Sequence, residues 1–133
     1  MERFLGGYSS YLYAVMRIVV GLLFACHGAQ KLFGALGGID QHGGSVPLLS
    51  MFGLAGVIEF FGGLLILLGF MAGYAAFIAS GEMASAYFTV HIHRAFWPIQ
   101  NAGELAVLYC FVFLYIASRG AGVWSIDHAR GAP

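Results

Sequence analysis

Charge is what this sequence has least of. Of its 133 residues, 9% are Asp, Glu, Lys or Arg, where a soluble domain carries about a quarter. The six basic and six acidic residues cancel. With no basic tail, this balance excludes nucleic acid as a partner and an anionic surface as the main one. Cysteine is nearly absent as well: Cys26 and Cys110 lie in separate apolar segments and form no Cys-x-x-Cys. An iron–sulfur set is excluded, a redox pair has little basis, and both residues read as small buried hydrophobes. No haem or nucleotide fingerprint is present. Pro47 and Pro98 fall in connectors, outside the long apolar runs.

What is there is apolar. Hydrophobic residues make up 60% of the chain, aromatics 16%, and the mean hydropathy is +0.84. This is the composition of an integral membrane protein, and the length suits a single domain over 1–133. Met1-Glu-Arg3 ahead of an apolar run imitates a secretory signal, and Leu23-Phe-Ala-Cys26 approaches a lipoprotein cleavage site. Phe24 is the wrong size for that site, however, and the helix runs on with polar groups inside it, so a retained span is expected.

About 20 apolar residues cross a bilayer as a helix, and the sequence predicts four such segments, at about 10–33, 48–69, 72–91 and 101–118. A Gly-rich connection from Gly34 to Pro47 separates the first two. The turn around Met71-Ala-Gly73 is so short that the second and third must form a hairpin. The expected fold is all-α, an up-down-up-down four-helix membrane bundle. Glycines of the second segment, Gly62 and Gly63 among them, suit close helix contact in lipid, where small residues replace the hydrophobic effect. Trp97 and Trp124 stand just past helix ends, at the expected membrane interface. Four spans put both termini on one side. Arg3, Arg119 and Arg130 there, against Lys31 and Arg94 opposite, favour the cytoplasm.

The rare charges are embedded where hydrocarbon does not tolerate them unpaired. On a helix, Lys31 lies within roughly 40° of both Arg17 and His27, so all three point into one sector. Glu59, Glu82 and Glu104 each enter from a later segment, which gives the bundle a polar centre. Two readings stay open for Arg17. It either pairs with Glu59 to fix packing, or shares a site with Glu59 and Glu82, where two carboxylates facing one cation cannot both ionise easily and one becomes a proton acceptor. Lys31 either pairs with Glu104 or joins His27 in an outward pocket for an anionic or quinone head group. His91 and His93 are about 200° apart on a continuing helix and cannot share one ion, so no metal site is expected and His91 is left as a pocket residue. Asp127 is expected to cap a terminal turn or to pair with Arg17 from below. Tyr87, Phe88 and Phe24 are candidates to line a slot.

In order along the chain, several motifs resemble the DoxX family of small four-helix membrane proteins. They are Arg17-x3-Gly21-x2-Phe24-x2-His27-Gly28-x2-Lys31-Leu32-Phe33, then Gly56-x2-Glu59-x2-Gly62-Gly63-Leu64-Leu65 closing at Gly69. Met83, Ala86, His91, Phe96 and Glu104 follow, and Gly120-x-Gly122-x-Trp124-Ser125-Ile126-Asp127 ends the match. The resemblance implies a multi-pass protein of a bacterial-type inner membrane and a link to thiosulfate:quinone oxidoreductases, other membrane redox complexes or assembly. On that basis the chain is expected to be a quinone-interacting subunit of a redox complex. Arg17, His27, Lys31, Glu59, Glu82, His91 and Glu104 would serve as its site, quinone as its cofactor, and lipid with a protein partner or a second copy as its surroundings. The alternatives are a non-enzymatic anchor or assembly factor and a small proton or anion transporter, which would need an oligomer.

Overall fold

The computed structural model describes residues 1–131, and they are helical, with no strand among them and one isolated bridge between Gly38 and Gly44. Helix α1 is Ser9–Phe33, entered through the short helix Glu2–Leu5 and a tight turn at Gly6–Tyr8. It stops at Gly34, whose φ of 63° is left-handed and whose added Cβ would strike the Gly43 carbonyl. Helix α2 is Met51–Leu68. It begins later than the expected position 48 because Ser50 is the cap: its Oγ accepts from the Gly53 amide at 3.0 Å, and Pro47 to Leu49 stay outside. Helix α3 is Ala72–Ala86, prolonged by a π-turn over Tyr87–His91.

Helix α4 is Glu104–Arg119, also later than expected. Asn101 turns the chain first, its Oδ1 accepting from the Gly103 amide at 2.8 Å while Ala102 takes a φ of 59°. A short helix, Ile126–Ala129, ends the described chain, and Ser125 caps it. Two helical stretches, Glu2–Phe33 of 32 residues and Met51–Leu68 of 18, are long and apolar enough to cross a membrane. Ser80, Glu82, Ser85 and Thr89 dilute α3, and α4 has only 16 residues.

Backbone proximity sets the register between α1 and α2. A Cβ on Gly21 would lie 2.6 Å from the Leu67 nitrogen, one on Gly63 would lie 2.5 Å from the Ala25 nitrogen, and one on Gly28 would lie 2.6 Å from the Phe60 Cα. These helices touch main chain to main chain, as small residues permit in lipid. Gly62 takes no part: it has open space around it, because it lies on a different side of α2 from its neighbour Gly63. Helix α3 packs on α2 and on α4, its Ala76, Ala79 and Met83 joining Tyr109 and Phe113 of α4 in one buried cluster. Aromatic contacts from Phe24 to Phe113 at 4.6 Å and to Tyr109 at 5.4 Å bring α4 back to α1. The Gly-rich connection is tied to α1 by the Val46 amide, which donates to the Lys31 carbonyl at 2.8 Å.

Candidate functional site

The α1–α2 register decides which charges meet. With Gly21 opposite Gly63 and Gly28 opposite Gly56, the antiparallel pair sets Arg17 level with the end of α2. Its guanidinium is fully buried there and binds four carbonyls: Nη1 donates to Ile66 at 2.6 Å and Leu67 at 2.7 Å, Nη2 to Trp124 at 2.7 Å and Val123 at 3.4 Å. Ile66 and Leu67 are among the last residues of α2, whose carbonyls lack the usual i+4 partners; the Ile66 carbonyl also accepts from the Gly69 amide at 3.1 Å. Among the described residues Arg17 therefore pairs with no carboxylate, neither Glu59, seven residues or about 10 Å back along α2, nor Asp127. It clasps α2 to the C-terminal tail.

Lys31 takes the carboxylate instead. Side chains lean toward the N-terminus of their helix, so Lys31 reaches back from the last turns of α1, and its Nζ meets Glu59 Oε1 at 2.5 Å. Glu104 is exposed at the first turn of α4, where an acid suits the helix dipole, and it pairs with nothing among the described residues. Of the two partners expected for Lys31, Glu104 is thus replaced by Glu59: the start of α4 lines the same space as Lys31 through Leu105 and Ala106, while Glu104 stays exposed.

Two connected spaces surround this pair. The inner one, about 230 Å³, is lined by His27, Lys31, Glu59, His91, Tyr109 and Phe24 among others. The second, about 520 Å³, is a groove between α2 and α3 lined by Lys31, Glu82, Ser85, Thr89, Leu54 and Ile78. Lys31, Phe52, Ala86 and Val90 line both. Leu54 and Ile78 are exposed, so the groove opens sideways, between helices. Among the described residues, two buried carboxylate oxygens, Glu59 Oε2 and Glu82 Oε2, have no hydrogen-bond partner, and neither has Arg17 Nε at the other end of α2. Buried polar atoms are nearly always satisfied, and orphaned ones mark strain or a site for a ligand or water.

Both π-turns fall on this wall: Ile58–Gly62 holds Glu59, and Tyr87–His91 ends at a pocket histidine. Such single turns in α-helices recur at functional sites. His91 Nδ1 lies 3.1 Å from the Asn101 carbonyl, and its ring stacks on Tyr87. Asn101, 1% exposed, also donates through Nδ2 to the Ala95 carbonyl at 3.0 Å and to Tyr87 Oη at 3.3 Å. It holds the α3–α4 connection and, through it, His91. Sequence reading passed over Asn101 and Tyr109. An Asn just ahead of a helix start signals such a turn, and Tyr109 shares a helical face with Ala106 and Phe113. Tyr109 stands edge-on to His27 at 6.2 Å.

The remaining expectations divide. His27, Lys31, Glu59, Glu82 and His91 come together, whereas His93 is exposed. Phe24 lines the inner space, but Tyr87 and Phe88 line a different cleft beside α4. Asp127 is a cap, though of another helix: its carboxylate accepts from the Met71 amide at 3.0 Å and the Ala72 amide at 3.2 Å, closing the start of α3. Among the described residues no three His, Cys, Asp or Glu side chains converge as metal ligands do.

The DoxX family profile matches residues 12–92. An uncharacterized protein of Haemophilus influenzae is 42% identical over 126 residues, covering 91% of this chain and 92% of its own length. No solved structure matches the chain.

Proposed function

Since this chain belongs to the DoxX family of membrane proteins, we propose that it is a quinone-interacting subunit of a membrane redox complex. In this reading it is a four-helix, up-down-up-down bundle of a bacterial-type inner membrane with both termini cytoplasmic. The observation that carries the reading is the pair of orphaned buried oxygens, Glu59 Oε2 and Glu82 Oε2, on spaces that open sideways between α2 and α3. A lipid-soluble quinol suits such a site, since its two hydroxyls donate where the carboxylate oxygens accept. It can enter from the bilayer, lie among Phe24, Tyr109 and Phe52, and meet polar groups inside.

A bound quinone would supply two-electron, two-proton redox chemistry. The chain's own residues would do the rest. His27 offers a ring N–H to a carbonyl oxygen, whereas His91 donates its Nδ1–H to the Asn101 carbonyl, which leaves Nε2 as an acceptor for a quinol hydroxyl. The Lys31 ammonium fixes Glu59 Oε1 and leaves Oε2 to take or give a proton. Glu82, on the groove, is the next carboxylate. In this reading it relays protons between the groove and the inner space, whose walls share Lys31, Phe52, Ala86 and Val90. Electrons have to reach the site from a protein partner.

The test is retention and binding of quinone. Purified protein, extracted and analysed by mass spectrometry, is expected to carry a quinone that a His27→Leu variant of unchanged melting temperature loses. In membranes holding the partner, Glu82→Gln is expected to stop quinone reduction while the protein still accumulates. Failure of the folded protein to bind a saturating ubiquinone analogue overturns the proposal. If intact partner proteins still co-purify in that case, the chain is an anchor.

A further inference from the structure

A fourth space lies at the opposite end of the helices from Glu59 and Glu82. It measures about 730 Å³ and sits between the start of α3 and the end of α4, lined by Tyr74, Phe77, Ser118, Arg119 and Asp127 among others. Tyr74 and Phe77 are exposed, as is Trp124 just past the end of α4, so this end has the aromatic character of a membrane–water boundary.

Arg119 is held by its flat face. Its Cζ lies 4.8 Å over the Tyr13 ring and 6.0 Å from that of Tyr115, and Nη1 donates to Tyr115 Oη at 3.3 Å. Among the described residues it is in no ion pair. A guanidinium has five N–H donors in a planar fork that matches phosphate oxygens. Here stacking fixes the plane and leaves most of that fork unused. Arg130, the next cation along, lies over Phe70 and does not line this space.

Asp127 lines the same space. Its two oxygens accept from Met71 and Ala72, and each keeps a second lone pair. A purely anionic head group would meet this carboxylate unfavourably, whereas a head group with its own ammonium would meet it well. We propose that this groove binds a zwitterionic aminophospholipid. The phosphate lies on Arg119, the primary ammonium on Asp127, and an acyl chain runs over Tyr74 and Phe77. The site is independent of the quinone reading and stands or falls apart from it.

The experiment is native mass spectrometry of the full chain in micelles doped with phosphatidylethanolamine, phosphatidylcholine or phosphatidylglycerol. A single charge-assisted hydrogen bond changes affinity by about tenfold. The ethanolamine lipid is therefore expected to bind about tenfold better than the choline lipid, which has no N–H donor, and better than the anionic glycerol lipid. Arg119 is exposed, so Arg119→Gln keeps the fold and is expected to release all three. Asp127→Asn keeps a capping oxygen and is expected to reverse the preference between ethanolamine and glycerol lipids. Equal retention of the three lipids, a wild-type preference for the glycerol lipid, or binding untouched by Arg119→Gln overturns the assignment. Displacement of the lipid by free phosphoethanolamine, with no preference among lipids, overturns it too.

Discussion

Removing Lys31 should harm this protein more than neutralising its partner. The ion pair is asymmetric: the Glu59 side chain is 3% exposed and that of Lys31 25%. Breaking a buried pair by deleting one partner costs about 3–5 kcal/mol, because the other charge is left uncompensated. Lys31→Met leaves Glu59 in that position, with Oε2 already lacking a partner, so its cost should fall near the lower end, about 3 kcal/mol. Glu59→Gln leaves an ammonium at the end of a long flexible stem that can swing toward the mouth of the groove. Its cost should be about 1–2 kcal/mol, the size of one lost charged hydrogen bond. The double variant Lys31→Met, Glu59→Leu removes both charges and should return to within about 1 kcal/mol of the wild type. Reversible unfolding in mixed micelles, followed by circular dichroism, gives all three values. A Lys31→Met cost no larger than that of Glu59→Gln, or additive single costs in the double variant, would refute the claim that this pair is buried and coupled.

The α1–α2 contact predicts opposite outcomes at adjacent glycines. Gly63→Ala should cost about 1–3 kcal/mol, because its Cβ meets the Gly21 carbonyl and the Ala25 main chain, while Gly62→Ala, with open space, should stabilise α2 by about 0.5–1 kcal/mol; thermal unfolding distinguishes them. Arg17→Lys should fail to replace Arg17, since three donors from one nitrogen cannot reach the carbonyls of both α2 and the tail, and faster proteolysis of the tail would register the loss. Asp127→Ala should speed hydrogen exchange at the Met71 and Ala72 amides, with a cost of about 1 kcal/mol typical of a lost cap. Asp40 gives a pH signature: the Gly44 amide, with that of His42, holds its carboxyl below the ordinary value. Because that pKa is depressed on folding, the order it lends the loop is fully present above the usual carboxylate value of about 3.9 and lost as pH falls through the lowered one. Exchange at His42 and Gly44 should rise only at that acid limit, and Asp40→Ala should remove the pH dependence.

The membrane class, the helical fold and the existence of a polar centre follow from the sequence alone. Hydrocarbon admits only helices and closed barrels, continuous apolar runs of about 20 residues select the helix, and charge is too scarce in this chain to be incidental. The family resemblance was legible in the same way, from residues in order. The resemblance grouped Arg17, His27, Lys31, Glu59, Glu82, His91 and Glu104 as one site; the structure gathers five of these around two spaces and sets Arg17 at the end of α2 and Glu104 outside. What sequence could not decide was partnership. Arg17 and Lys31 share a face of α1, yet one ends on carbonyls at the end of α2 and the other on a carboxylate. That choice is made by the height at which Gly21 and Gly28 meet Gly63 and Gly56, and nothing local to any of these residues encodes it. The capping of α3 by Asp127 depends likewise on a contact between segments far apart in the chain. Periodicity tells a helix which face to bury, but only packing fixes how far one helix slides along another, and at 1.5 Å per residue a slide of one turn exchanges every partner.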